Sequence, residues 1–171
     1  MLNKIIRLGF TTLIFVWSVF QFIEGNIGNG ISLILLASLV FLTYIRNENI
    51  ILALWYLRKN NIEKAEKALG RIKNPEKSLI KSQAAYYYLL KGMMESQRGV
   101  GKSESMLKKA LSMGLRNKSD QALAKLNLAG IALSRRRKRE AQILLTEVKK
   151  LDEKKMFNEQ VRMIKEQMKK I

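Results

Sequence analysis

Two stretches decide most of what this chain can become: LGFTTLIFVWSVFQFI, Leu8 to Ile23, and ISLILLASLVFLTYI, Ile31 to Ile45, neither of which holds a charged residue. A surface helix of a water-soluble domain shows an apolar stripe against a polar face, repeating every 3.6 residues. These runs show almost no polar face. A hydrocarbon core about 30 Å thick takes roughly 20 helical residues. The first run reaches that length by including Ile5 and Ile6, the second by starting at Ile27, and Arg7 can snorkel to the headgroups. Between them lies EGNIGNG, Glu24 to Gly30, where Gly25, Gly28 and Gly30 permit positive φ and Asn29-Gly30 is a common turn pair. Residues 1–46 are therefore expected to form a two-helix transmembrane hairpin. A hairpin buried in a soluble domain is the alternative, and the missing polar faces argue against it.

Lys4 and Arg7 precede the first run and Arg46 follows the second, whereas the connecting loop carries no Lys or Arg. The positive-inside rule then places both ends, and with them all that follows, on the cytoplasmic side of the inner membrane. A cleaved signal peptide also has a basic start and an apolar stretch. Here no small-x-small cleavage site follows, and a second apolar run comes at once.

The charge lies elsewhere in the chain. All but Lys4, Arg7 and Arg46 of the 32 Lys and Arg, and all but Glu24 of the 14 acidic residues, follow residue 46, so the C-terminal part carries +16 of the formal +18. There is no cysteine and no histidine. Their absence removes disulfides, the commonest metal ligands, the usual general base near neutral pH and every Ser/His or Cys/His nucleophile arrangement. Carboxylates such as Glu63, Glu95 and Glu104 remain, and nothing in the sequence pairs them. The expectation is a protein without catalytic, metal or cofactor sites and without a small-molecule substrate.

Aligned with itself, the chain after residue 47 repeats every 38 residues: Leu52, Leu90 and Leu128; Ala65, Ser103 and Ala141; Leu69, Leu107 and Leu145; Ile72, Ala110 and Val148. In each unit the small residue follows the leucine by 13, and apolar positions come four and seven residues later, on one helical face. Each unit is thus expected to be two helices. Asn60 to Glu63 reads as a capping box with Asn60 as the cap, Pro75 follows a helix end, and Gly114 ends another.

These positions resemble the tetratricopeptide repeat family, whose units pair an A helix carrying a Leu-(Gly/Ala) step with a B helix carrying a small residue and then large ones. Leu52-Ala53 and Leu128-Ala129 match the step, and Ala65 and Ala141 match the small position; the middle unit departs with Lys91 and Ser103. The family's usual period is 34 residues, so the extra residues of each unit are expected in the links around KNPEKS and LRNKSD. The resemblance covers residues 47 to about 155. It implies an all-α solenoid of about three helix pairs, preceded here by the hairpin. Residues 156–171, with Phe157, Val161, Ile164, Met168 and Ile171 on one face, read as an amphipathic capping helix. A dimerising coiled coil is the alternative for that stripe.

The family holds peptides or partner helices in a groove lined by A helices. Carried onto this register, that groove falls at Ile50, Leu54, Leu57, Tyr88, Leu126, Asn127 and Leu133. Only Asn127 has a residue type used by the family's carboxylate clamps, so no such clamp is expected. The same leucines can equally be packing positions against neighbouring helices. Tyr86, Tyr87 and Tyr88 cannot all face one side of a helix, so at least one should be accessible.

Two motifs invite over-reading. GVGKSE, Gly99 to Glu104, carries Gly-Lys-Ser, but Ser96 stands where a phosphate loop needs its first glycine, and the preceding AAYYYLLKGMMES reads as helix, not strand. The second is the run Arg135, Arg136, Arg137, Lys138 and Arg139, a block of like charge seen both in polyanion contacts and in solvated turns. In the repeat register it is the turn between the two helices of the third unit. The leading expectation is a membrane-anchored scaffold that binds protein partners. The alternative is a tethered basic module that binds RNA or anionic lipid through this run.

Overall fold

The computed structural model of the protein describes residues 2–45, 47–96 and 99–170, with the backbone alone for 2–5, 7 and 42–45. The expected roles of Lys4, Ile5, Arg7, Arg46 and Ile171 fall outside the described side chains. Every regular element among the described residues is an α-helix. The chain divides into two compact units, Met1–Glu48 and Asn49–Ile171.

The first unit is a hairpin of α1 (Leu2–Ile23) and α2 (Ile27–Ile45), helices of 22 and 19 residues. Gly25 makes the turn at φ +81°, a left-handed value that a side chain would strain; the expected turn pair Asn29-Gly30 and Gly28 lie instead inside α2, because the chain re-enters the helix at Ile27. Small residues bring the two helices together. The Ser18 hydroxyl, buried, donates to the Gly30 carbonyl at 2.9 Å, and a Cβ on Gly30 would lie 2.7 Å from the Phe22 ring. Thr12, Ser32 and Ser38 donate to carbonyls one turn back in their own helices, so these hydroxyls ask nothing of the surroundings. Away from the turn end, where Glu24, Asn26 and Asn29 are exposed, the rest of the surface is largely apolar, with Leu13, Trp17, Phe20, Leu35 and Leu39 each more than 60% exposed.

Among the described residues no helix is long and apolar enough to cross a membrane.

The second unit contains α3 (Glu48–Arg58), α4 (Ile62–Gly70), the single turn α5 (Pro75–Ser78), α6 (Lys81–Glu95), α7 (Val100–Met113), α8 (Lys118–Ser134), α9 (Lys138–Leu151) and α10 (Asn158–Lys170). The helices α3 and α4, α6 and α7, and α8 and α9 form three successive pairs, and the second members start at Ile62, Val100 and Lys138, 38 residues apart. The first and third pairs turn identically. Asn60 and Arg136 are both left-handed, at φ 55° and 59°. The amides of Asn60 and Asn61 bond to the carbonyls of Leu57 and Tyr56, just as those of Arg136 and Arg137 bond to Leu133 and Ala132.

The repeated positions build the core. Ala65, Ser103 and Ala141, then Leu69, Leu107 and Leu145, then Ile72, Ala110 and Val148 are all buried; Leu90 and Leu128 are buried and Leu52 half-buried. The small residue lets the second helix of a pair approach the first, and the leucine one turn later fills the gap. In the middle pair the close approach is made by Gly92, one residue after Lys91. A Cβ there would lie 2.9 Å from the Leu107 side chain, and the Ser103 hydroxyl donates to the Gly92 carbonyl at 2.7 Å. The departure at Lys91 and Ser103 is thus one compensated contact.

Two local expectations are corrected. The cap of α4 is Asn61, whose Oδ1 accepts from the Lys64 amide at 3.1 Å; Asn60 occupies the left-handed turn position, and Glu63 pairs with Lys67 instead. The extra residues of a unit enter a link only once, around α5. At the second junction the link is just Gly114–Asn117, and the added length extends α8 to 17 residues.

The last helix is anchored by Asp152. Its carboxylate, buried, accepts from the amides of Met156 and Phe157 at 2.9 and 2.7 Å, and so turns the chain back along α8 and α9. Val161 is buried against Leu126, Ala129, Leu145 and Val148, with Phe157, Ile164 and Met168 packed around it. The apolar stripe of α10 is therefore used within the chain, as a cap on the third pair.

Candidate functional site

An open cleft of about 630 Å³ runs between the first helices of the second and third pairs and α10. Met93 of α6 and Ser96 just past its end, Leu123, Leu126, Asn127 and Ile131 of α8, and Gln160, Met163 and Gln167 of α10 line it, with Val100, Gly130, Ser134, Phe157 and Ile164 completing the wall. No lining residue carries a charge, in a region whose net charge is +16. Its donors are largely satisfied from within. Ser96, Asn127 and Ser134 each donate to a carbonyl three or four residues back, which leaves the amides of Gln160 and Gln167 as the adaptable polar groups. Met163 stands 54% exposed on the cleft wall and offers a flexible, polarisable side chain. Such a lining suits an apolar segment with few hydrogen-bonding demands.

The expected groove is not one surface. Ile50, Leu57 and Tyr88 belong to the first hydrophobic cluster, with Ala53, Leu69 and Leu90, and Leu54 is half-buried on α3. Leu126 and Asn127 do line the cleft. Leu133 is buried against Ala132 and Ala141, at a smaller hollow beside Gln167 and Lys170. The α10 wall of the cleft also has a signal in the sequence: Gln160, Met163 and Gln167 follow the same helical spacing one step beside the stripe that caps the core.

Of the three tyrosines, Tyr87 is buried while Tyr86 and Tyr88 are half-buried, and none stands fully exposed. Burial pushes the Tyr86 phenol up, and the nearby Asp120 adds to that shift. Tyr88 has a structural partner. Its hydroxyl donates to Glu76 at 2.9 Å, Glu76 also pairs with Lys109, and the Lys109 ammonium sits 4.5 Å from the Tyr88 ring centre. Lys109 first and Tyr88 second hold the Glu76 carboxyl below its usual range. This trio ties α5 and α6 to α7.

The basic run is divided by one carboxylate. Glu104 of α7, with its side chain only 9% exposed, accepts from Lys108 at 2.7 Å, from Arg135 at 2.7 Å and from Arg137 at 3.0 Å. Lys108, then Arg137, hold the Glu104 pKa down to about 2. Arg137 also reaches Glu140 at 2.7 Å. Two of the five cations thus fasten the third pair to the second. Arg136, Lys138 and Arg139 remain exposed, with no ion pair among the described residues.

GVGKSE is the turn into α7, where Gly101 faces the Arg135 guanidinium and Ser103 is the buried core position described above. Among the described residues no group of three or more acidic side chains comes together where a metal ion would be held. Compared with known proteins, the chain matches no family model, no curated protein and no solved structure.

Proposed function

We propose that this protein is a membrane-tethered scaffold of the tetratricopeptide kind: the hairpin lodges in the inner membrane, and the helical repeats bind a partner protein on the cytoplasmic side. The observation that carries the binding role is the charge-free cleft between α6, α8 and α10. An apolar trough of this size on a strongly basic unit favours a partner segment that places apolar side chains in the cleft and acidic ones over the rim. Nothing in this reading requires catalytic chemistry or a cofactor.

The membrane role is supported by the hairpin's outer surface, largely apolar away from its turn end, and by hydroxyls that bond within their own helices, as groups in hydrocarbon must. The backbone helices of 22 and 19 residues would rise about 33 and 28 Å.

The test is photo-crosslinking in native membranes, with a photoreactive residue at Met163 in the cleft or at Ile143 on α9, both exposed but only the first a cleft residue. The expected result is a discrete acidic partner captured from Met163 alone, with the protein staying in the membrane pellet after alkaline extraction. Equal capture from both positions sinks the cleft reading, and release into the supernatant sinks the tether.

A second reading, binding to RNA or anionic lipid, rests on a separate observation. Arg136, Lys138 and Arg139 stand exposed with no ion pair among the described residues, and the charge of Lys149 holds the Lys165 pKa below the usual lysine range. Changing Arg136, Lys138 and Arg139 to Gln should then weaken RNA or vesicle binding and flatten its salt dependence by about 0.7 to 0.9 per lost phosphate contact. Unchanged binding and slope remove the run from this role.

A further inference from the structure

Outside the hairpin, the large hydrophobic side chains that stand exposed among the described residues are few: Ile51, Trp55, Ile80, Ile143, Met156 and Met163. Ile51 and Trp55 are the pair that lie one turn apart on one helix, so their side chains are neighbours on the outward face of α3. The opposite face of α3 is the one the core uses, through Ile50 and Ala53. Lys59, just past the helix end, holds its ammonium 4.0 Å from the centre of the Trp55 ring, and Arg58 occupies the last turn. Apolar residue, indole and cation therefore follow in order along a single face.

That order matches the boundary between acyl chains and headgroups. Aliphatic side chains favour the hydrocarbon edge, Trp is enriched at the interface because its ring is apolar and its N–H polar, and Lys extends its ammonium toward phosphate. The covalent chain also limits where α3 can go. The six residue steps from Ile45, the end of α2, to Ile51 span at most about 21 Å even when fully extended. A soluble partner has no such constraint to explain why this face lies so near the hairpin in sequence.

We propose that the outward face of α3, formed by Ile51, Trp55 and Lys59, lies in the headgroup boundary of the bilayer that holds the hairpin. The inference rests on the membrane tether proposed above and adds a second contact to it. With this contact, α3 is a surface anchor in its own right.

The chain's two tryptophans separate the inference from the reading beneath it, because Trp17 belongs to the hairpin and Trp55 to α3. The full chain is placed in vesicles of zwitterionic and anionic phospholipid, brominated either high or deep on the acyl chain, as the Trp17→Phe and Trp55→Phe variants. The expected result is that Trp55, alone in Trp17→Phe, emits to the blue and loses most of its intensity to the shallow bromines. Trp17, alone in Trp55→Phe, should be quenched by the deep ones. Adding Ile51→Asp should restore the Trp55 emission while the helical circular dichroism is kept. If Trp17 is quenched and Trp55 is not, the interfacial anchor is wrong and the tether stands. If Trp17 itself escapes quenching, both are wrong.

Discussion

The hairpin and the repeat unit are both helical and both rich in Leu, Ile and aromatic residues, yet they place them oppositely. Of the large hydrophobic side chains exposed among the described residues, eighteen of twenty-four belong to the hairpin. The buried contacts that define the hairpin are small ones, at Ser18, Gly30 and Ala37. The repeat unit turns its leucines inward in layers and keeps most of its charges outside, Glu104 and Asp152 excepted. The lesson is that apolar content does not define a core. The hairpin's helices join through small residues and a hydroxyl, whereas the repeats join through burial of large side chains.

The contrast is broken most sharply at matched leucines. Leu145→Ala in the repeat unit, where the side chain is fully buried, should cost about 3 kcal/mol, read as a lower denaturant midpoint. Leu35→Ala on the hairpin, 64% exposed, should leave unfolding of the repeat unit unchanged. An equal loss from both would mean that Leu35 is buried against protein.

Glycines sharpen it at a smaller scale. Gly92→Ala drives a methyl to within 2.9 Å of Leu107 and should cost about 2 kcal/mol by overpacking. Gly9→Ala in α1 meets nothing within 4 Å and should be tolerated, with a gain in helix propensity of under about 1 kcal/mol. Thermal melting of the two variants, and of Ser103→Ala paired with Gly92→Ala, reports whether the hydroxyl and the close approach act together.

An electrostatic prediction concerns the repeat unit alone. Glu104→Gln should cost about 1.5 kcal/mol, the low end for charge-assisted hydrogen bonds, because its three partners are partly exposed and screened. The folded pKa lies below the ordinary value of 4.5, at about 2. The carboxylate therefore stabilises the fold fully above pH 4.5, and that contribution disappears as pH falls toward 2. The wild-type protein should lose stability across this window more steeply than Glu104→Gln; parallel pH profiles would show that the clamp contributes nothing.

The smallest effect is a gain. Arg136 holds a left-handed conformation at φ 59° without being glycine, so Arg136→Gly should stabilise by about 1 kcal/mol in a denaturant titration. Asn60→Gly, at the equivalent turn, should gain less, because Asn tolerates that region better than Arg. If Arg136→Gly destabilises instead, the arginine side chain has a structural role at the turn.

Much of the fold is legible in the sequence because it follows from short-range pattern. Charge-free runs interrupted by EGNIGNG specify a helical hairpin, and columns at 52, 90 and 128 or at 69, 107 and 145 specify repeated helix pairs, since helical spacing alone decides which residues share a face. The candidate site was only partly legible. Leu126 and Asn127 emerge on the cleft, whereas Ile50, Leu57, Tyr88 and Leu133 pack into clusters, because a residue's place on its helix does not say which neighbouring helix will cover it.

By itself the sequence determined the all-helical character, the 38-residue period, the concentration of positive charge after residue 46, and the start of the basic run in a turn between helices, whose last two members, Lys138 and Arg139, the structure places in α9. Only the tertiary structure decided that Glu104 pairs with Arg135 and Arg137 and leaves Arg136, Lys138 and Arg139 exposed, and that α10 both caps the core and walls the cleft. The division has a physical cause: periodicity is written in residues a few positions apart, while Glu104 and Arg135 lie 31 residues apart and meet only when two helix pairs stack.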